Sequence, residues 1–334
     1  MTAFGIPWDR RMFLLIAGLA LTLAALVGFQ VVRNQNVVDA VAIVDITGSM
    51  NTRDTGSPPG SASRLQAARN ALVDLVQSVP CQSRLGLGVF TERISFLLFN
   101  PVEICNNYDG LEDALSELDW RMAWQGDSYI AKGLYSAIDI AASLKADLIF
   151  LTDGQEAPPL PFTGTPPFEG KLGDVKGLIV GVGGTEKVPI PKFDDEGRQS
   201  GVYGPSDVPQ DNRIGAAPPG AETREGYNPR NAPFGAPPES GEEHLSSVKT
   251  AHLTDLADKT GLTYVELQKS GSIANALMAS AKKRVVPTSM NMAYIPASLA
   301  LLSLILLYAL SLVGDPRLTN RARLARLLPS KSGA

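Results

Sequence analysis

The chain has 334 residues, with 30 Lys and Arg against 34 Asp and Glu, and only two histidines. A net charge of −4, without any basic stripe interleaved with aromatics, argues against a nucleic-acid partner. Hydrophobic residues make up 44% of the chain but collect at both ends, which is not the pattern of a simple soluble protein.

In chain order, residues 1–12 form a short N-terminal segment and 13–32 an anchor. Phe13 to Phe29 is a run of about 17 uncharged residues, within the range of a membrane-spanning helix. Arg10 and Arg11 precede it and no Ala-x-Ala pattern closes it, so it reads as an uncleaved anchor; a twin-arginine signal is the weaker alternative. Residues 294–313 supply a second apolar run, followed by Arg317, Arg321, Arg323, Arg326 and Lys331 in a basic tail, 314–334. The positive-inside rule then puts both termini in the cytoplasm and 37–285 on the other side of a bacterial inner membrane, in the periplasm; Lys282, Lys283 and Arg284 oppose this.

Between the anchors, after a short linker at 33–36, Val37 to Val44 reads as a fully buried strand that stops at Asp45. Thr47 and Ser49 follow at alternate positions, so one turn carries a carboxylate and two hydroxyls. A hard divalent cation uses such oxygen donors, and a helix N-cap uses the same residue types. Taken alone, the spacing leaves both readings open.

Ser63 to Val79 is amphipathic, with Leu65, Ala68, Leu72, Leu75 and Val76 at helical spacing. Leu85 to Phe90 and Ile94 to Phe99 read as a hairpin turning near Arg93, which sets Cys81 and Cys105 opposite each other at its open end. An oxidising compartment would bond them, whereas cytosol would leave two buried thiols. A short helix is expected over Gly110–Leu118 and a longer one over Tyr129–Leu144, headed by the hydroxyl of Ser128. Strands follow at Leu148–Leu151 and Gly177–Val182. From 183 to 246 Pro, Gly, Asn and acidic residues dominate, so this stretch reads as a long insertion or a partly disordered loop. A helix over His252–Thr260, a strand over Leu262–Leu267 and a helix over Ser272–Arg284 complete the order. The alternation predicts an α/β fold, a doubly wound and mostly parallel sheet with one antiparallel edge strand.

Three separated segments, Asp45-Ile46-Thr47-Gly48-Ser49, Ser128 and Thr152-Asp153-Gly154, together resemble the von Willebrand factor type A domain. Its metal-ion-dependent adhesion site reads Asp-x-Ser-x-Ser, then a Thr, then an Asp. Thr47 stands where Ser is more frequent and Ser128 where Thr is, and both swaps keep a hydroxyl. The resemblance covers roughly residues 37–275. It implies a metal site of Asp45, Thr47, Ser49, Ser128 and Asp153, with Thr47 and Ser49 on the cation, Ser128 as a third ligand and the carboxylates bound directly or through water. The expected ion is Mg²⁺, with Mn²⁺ or Ca²⁺ as alternatives, and a partner protein's carboxylate would fill the open position. Val180-Gly181-Val182-Gly183, Pro189-Ile190-Pro191 and Asp195-Glu196-Gly197-Arg198 look like the bacterial membrane-anchored branch of the family.

Catalysis has little support. His244 lies in the insertion and His252 begins a helix, so both read as solvated, and no Gly-x-Ser-x-Gly elbow occurs. Gly181-Val182-Gly183-Gly184 reads as a strand end, not a phosphate cradle. Asp54 and Asp109 could add carboxylates near the rim, though nothing fixes them there. The layout resembles two bacterial groups. In one, type A proteins of methanol-oxidation clusters serve the insertion of calcium into periplasmic methanol dehydrogenase, and this is the expectation. In the other, aerotolerance-associated type A proteins work alongside MoxR-type ATPases.

Overall fold

β1 (Gln30–Asp45) is the middle strand of a seven-stranded sheet, and its second half is apolar on both faces. Val38, Ala40, Ala42 and Val44 enter one hydrophobic cluster and Val41 and Ile43 the other, which is why no alternation shows in the sequence. β2 (Arg84–Thr91) and β4 (Asp147–Thr152) flank β1 in parallel. β5 (Gly177–Gly181) pairs parallel with β4, and β10 (Thr263–Glu266) with β5. β3 (Ile94–Glu103) closes the other edge antiparallel to β2, giving the order β10-β5-β4-β1-β2-β3. The expected doubly wound sheet with an antiparallel edge is therefore present, and its winding reverses between β1 and β4.

One face is covered by α2 (Arg64–Ser78), α3 (Tyr108–Ser116) and α6 (Ile273–Ser280), which bury residues such as Leu72, Leu111 and Leu277. α4 (Ile130–Ser143) and α5 (Thr250–Thr260) cover the other with Leu134, Ile138 and Leu253. Ser63 caps α2, accepting from Gln66 N at 3.1 Å. Cys81 and Cys105 are disulfide-bonded at the open end of the β2–β3 hairpin, with their Cα atoms 5.3 Å apart.

This is a computed structural model, and it describes residues 10–313 apart from 29, 59, 125, 161–163, 195, 209–219, 221–222, 224–241, 243 and 268–272. The expected basic tail, most of the N-terminal segment and much of the insertion lie outside the described residues. Two compact units result, 36–286 and the terminal segments 1–35 with 287–334.

In the terminal unit, α1 (Arg10–Val27) and α7 (Tyr294–Val313) pack as an antiparallel pair. Arg11 Nη2 lies 3.4 Å from Leu310 O, a Cβ on Gly18 would meet Ser303 Oγ at 2.8 Å, and Val27 shares a cavity wall with Ile295. Phe13, Leu19, Leu26, Leu301 and Tyr308 remain exposed on its surface. Among the described residues no helix is long and apolar enough to cross a membrane.

Three expectations change. The segment expected as the end of the first anchor and a linker is already strand, since β1 starts at Gln30. The helix expected to run to Arg284 stops at Ser280, and β11 (Lys283–Asn291) follows and pairs with β1. Val285, Val286 and Pro287 disfavour a helix there, and Arg284 is held by Asp39 at 2.9 Å. The insertion is folded in part: β6 (Val188–Pro189) pairs with β9 (Leu245–Ser246), and β7 (Pro191–Phe193) with β8 (Gln199–Val202).

Candidate metal centre

Asp45 ends β1 and Asp153 follows β4, so both carboxylates stand at the strand ends where the winding reverses, the usual crevice of an open α/β sheet. Both are fully buried. Asp45 Oδ1 accepts from Thr47 N at 2.9 Å and Oδ2 from Thr152 Oγ1 at 2.6 Å. Burial first, then the neighbouring Asp153, pushes the Asp45 carboxyl up to about 7, against the lowering effect of Thr152 and of the Thr47 backbone and side chain.

Thr47 opens a short 3-10 turn, Gly48–Asn51, and its side chain does not cap it. Thr47 Oγ1 and Ser49 Oγ are buried without a hydrogen-bond partner. That rules out the capping alternative, because a capping hydroxyl accepts a backbone N–H.

Ser128 Oγ is buried and unpartnered in the same way. Its backbone is pinned: Ser128 N donates to Ala157 O at 2.5 Å and Ala157 N donates to Ser128 O at 2.8 Å. α4 begins two residues later, and its first N–H groups, Ile130 N and Ala131 N, are taken by the Glu156 carboxylate at 3.0 and 3.1 Å. With that capping done from another loop, the Ser128 hydroxyl is left to face the rim.

Thr47, Ser49 and Ser128 line one cavity of about 40 Å³. Asp45 and Asp153 stand behind its wall, Asp45 bonded to Thr47 N and Asp153 Oδ1 to Gln155 N at 2.9 Å. A buried polar atom left unpaired costs roughly 1–3 kcal/mol, so three hydroxyl oxygens around one small space call for a ligand. Neutral oxygens backed by two carboxylates suit a hard divalent cation with retained water. Among the described residues no group of three His, Cys, Asp or Glu side chains could hold a metal ion. The donors of this cavity are hydroxyls.

Several residues of the centre carry no motif. Arg64, the first residue of α2, is fully buried. Its Nη1 donates to Asp153 Oδ2 and to Ser246 Oγ, each at 2.5 Å, and its Nη2 reaches Asp54 Oδ2 at 2.6 Å. Burial disfavours the guanidinium charge, but Asp153 and Asp54 outweigh it and raise the pKa above its ordinary value. Asp54 is thereby fixed at the rim, where it also accepts from Gly184 N at 2.9 Å. Gly183 adopts φ +125, and a Cβ there would lie 2.5 Å from Arg64 Nε, so the glycine run makes room for this arginine. A sequence signal existed: a basic residue in the first turn opposes the helix dipole and needs a reason to be there.

The two histidines depart from expectation. His252 is largely buried, with Nε2 3.0 Å from Glu156 Oε1. His244 is not a solvated loop residue; it lines the cavity of Thr47, Ser49 and Ser128, and its Nδ1 is buried without a partner. Ile190, Tyr203 and Val208 of the insertion complete that wall. These described residues of the insertion stand at the rim, and an interval without apolar periodicity gave no sign of it.

Residues 40–155 match the von Willebrand factor type A domain, an interval that contains all five expected site residues. No curated protein matches the chain. Among solved structures, the chain is similar to an aerotolerance-related membrane protein from Bacteroides fragilis, at 17% identity over 72% of this chain and 96% of that one, with a TM-score of 0.43. It is similar to the conserved hypothetical protein BatB from Bacteroides thetaiotaomicron at 17% identity, over 72% and 94% of the two chains, TM-score 0.43. An uncharacterised membrane-spanning protein from Vibrio fischeri is similar at 16% identity, over 71% and 94%, with a TM-score of 0.27. Residues 40–155, which hold the central strands and the rim, are the part similar to a von Willebrand factor type A domain, and the sheet order agrees with that likeness.

Proposed function

We propose that this chain is a membrane-tethered binding module whose type A domain holds a divalent cation, Mg²⁺ first and Mn²⁺ or Ca²⁺ as alternatives, and uses it to bind a partner protein. A type A domain is typically a binding module and not a catalyst. The observation that carries the reading is the set of three buried, unpartnered hydroxyls around one cavity, backed by Asp45 and Asp153. Thr47, Ser49 and Ser128 would hold the ion, with the carboxylates acting through water. The ion supplies a positive centre for a partner's carboxylate, and access requires Ile190, Tyr203, Val208 and His244 to move off the rim. The test is Mg²⁺ titrated calorimetrically into the full chain: the wild type binds and Asp45→Ala does not, and EDTA releases any captured partner. Equal Mg²⁺ affinity in the two proteins removes the site.

The tether is the α1–α7 pair. Its outward Phe, Leu and Tyr side chains make an apolar surface that lipid suits and water does not. The Cys81–Cys105 bond favours an oxidising periplasm for the domain, and the basic residues after 313 favour a cytoplasmic tail. The chain should stay with inner membranes through an alkaline wash, and protease added to spheroplasts should reach the domain. Protection of the domain would reverse the topology.

Only the layout supports a methanol-dehydrogenase setting. The aerotolerance setting is the better alternative, being the one in which a similar structure is described. The partner is defined here by chemistry alone, as a protein that presents a carboxylate.

A further inference from the structure

We propose that His244, delivered by the insertion, is itself a ligand of the cation, so that the site is closed in cis by an imidazole where a partner's carboxylate would otherwise enter. This rests on the metal reading above and adds a nitrogen donor to it. Four side chains of one cavity present buried polar atoms without partners: the oxygens of Thr47, Ser49 and Ser128, and Nδ1 of His244. The first three come from the two rim loops and the fourth from a segment more than a hundred residues away in sequence from the nearest of them. At about 40 Å³ the space takes an ion with a water or two and little more.

His244 is held there by its neighbours in sequence. Leu245 and Ser246 form β9, paired to β6, and Ser246 Oγ accepts from Arg64 at 2.5 Å, beside Asp153. The imidazole is thus anchored to the same arginine that binds the site's second carboxylate. A neutral imidazole is a borderline donor that favours first-row transition ions over Mg²⁺ and Ca²⁺. Closed by the imidazole the site prefers Mn²⁺, whereas the open, all-oxygen site prefers Mg²⁺, and opening it to a partner exchanges Nδ1 for a carboxylate oxygen.

The chain has only two histidines, so a nitrogen signal has only two sources of imidazole. The experiment is electron spin-echo spectroscopy of Mn²⁺ bound to the full, tag-free chain in nanodiscs, with calorimetry of Mn²⁺ and Mg²⁺ alongside. We expect ¹⁴N modulation on Mn²⁺ that persists in His252→Gln and vanishes in His244→Gln. His244→Gln should also lose at least about tenfold in Mn²⁺ affinity, the loss typical even of an outer-shell partner, while its Mg²⁺ affinity shows that the site still folds. Mn²⁺ bound without ¹⁴N modulation, or with modulation unchanged in His244→Gln, overturns the inference and leaves the metal site standing. Absence of Mn²⁺ and Mg²⁺ binding in the wild type, or binding unaffected by Asp45→Ala, overturns the metal reading and this inference with it.

Discussion

Arg64 Nη1 lies 2.5 Å from Asp153 Oδ2, and both side chains are wholly buried. One carboxylate of the centre is therefore already neutralised by the protein, and with Asp54 on the other side of the guanidinium the group Asp45, Asp54, Asp153 and Arg64 carries two net negative charges when fully ionised. A divalent cation balances that sum.

Removing the arginine should be costly. Arg64→Leu leaves Asp54 and Asp153 buried without their counter-charge, and breaking a buried pair in this way costs about 3–5 kcal/mol. Denaturant unfolding of the metal-free full chain measures it, and a loss below about 1 kcal/mol would mean that water replaces the guanidinium at little cost.

Removing a rim hydroxyl should do the reverse. Ser128→Ala deletes an unpartnered buried oxygen, so metal-free stability should hold or rise by up to roughly 1 kcal/mol. Mg²⁺ affinity should fall about tenfold or more in the same protein, since a ligand is gone. A variant that loses stability and keeps its metal affinity would make Ser128 a structural residue only.

The pH dependence follows from Asp45. Its carboxyl in the folded state sits at about 7, above the ordinary 3.8, because of burial and then Asp153. The folded state holds a proton that the unfolded state releases, so this contribution is complete below about pH 4 and is lost as pH rises to 7. At about 1.4 kcal/mol per unit, the metal-free chain should lose a few kcal/mol across that window. Metal binding must expel the same proton, so Mg²⁺ affinity rises with pH up to about 7 and then levels. Unfolding at both ends of the window, with and without Mg²⁺, checks the sign. Asp45→Asn should flatten the metal-free profile.

The disulfide closes a loop with a sequence separation of 24 residues. Chain-entropy arithmetic for a loop of that size gives about 3.5 kcal/mol, so Cys81→Ser with Cys105→Ser should destabilise the domain by that order. Calorimetric melting of both forms reads it directly.

The parts legible in the sequence are those with a local cause. The buried run ending at Asp45, the stripe of Leu65, Ala68, Leu72 and Leu75, and the hairpin that joins the cysteines each follow from periodicity and turn chemistry, and each is present. That Asp45, Thr47, Ser49, Ser128 and Asp153 gather at one rim was legible because a motif groups them. Arg64, Asp54 and His244 were not, since their roles depend on contacts between loops far apart in the chain. The helix expected over Ser272–Arg284 ran four residues too far for a related reason: its end shows only once the pairing of β11 with β1 is known.

Glu156 gives the fold one more property. A single carboxylate accepts from the first two N–H groups of α4 and meets the ring of His252 on α5. Ser128 lies just ahead of that first turn, so any tug on its hydroxyl that shifts α4 must remake the bonds at Glu156, and through them disturb the imidazole. A ligand held by the Ser128 hydroxyl would thus sit one hydrogen-bonded carboxylate away from a helix on the domain's flank, and the ring protons of His252 are the place where a spectroscopist could listen for it.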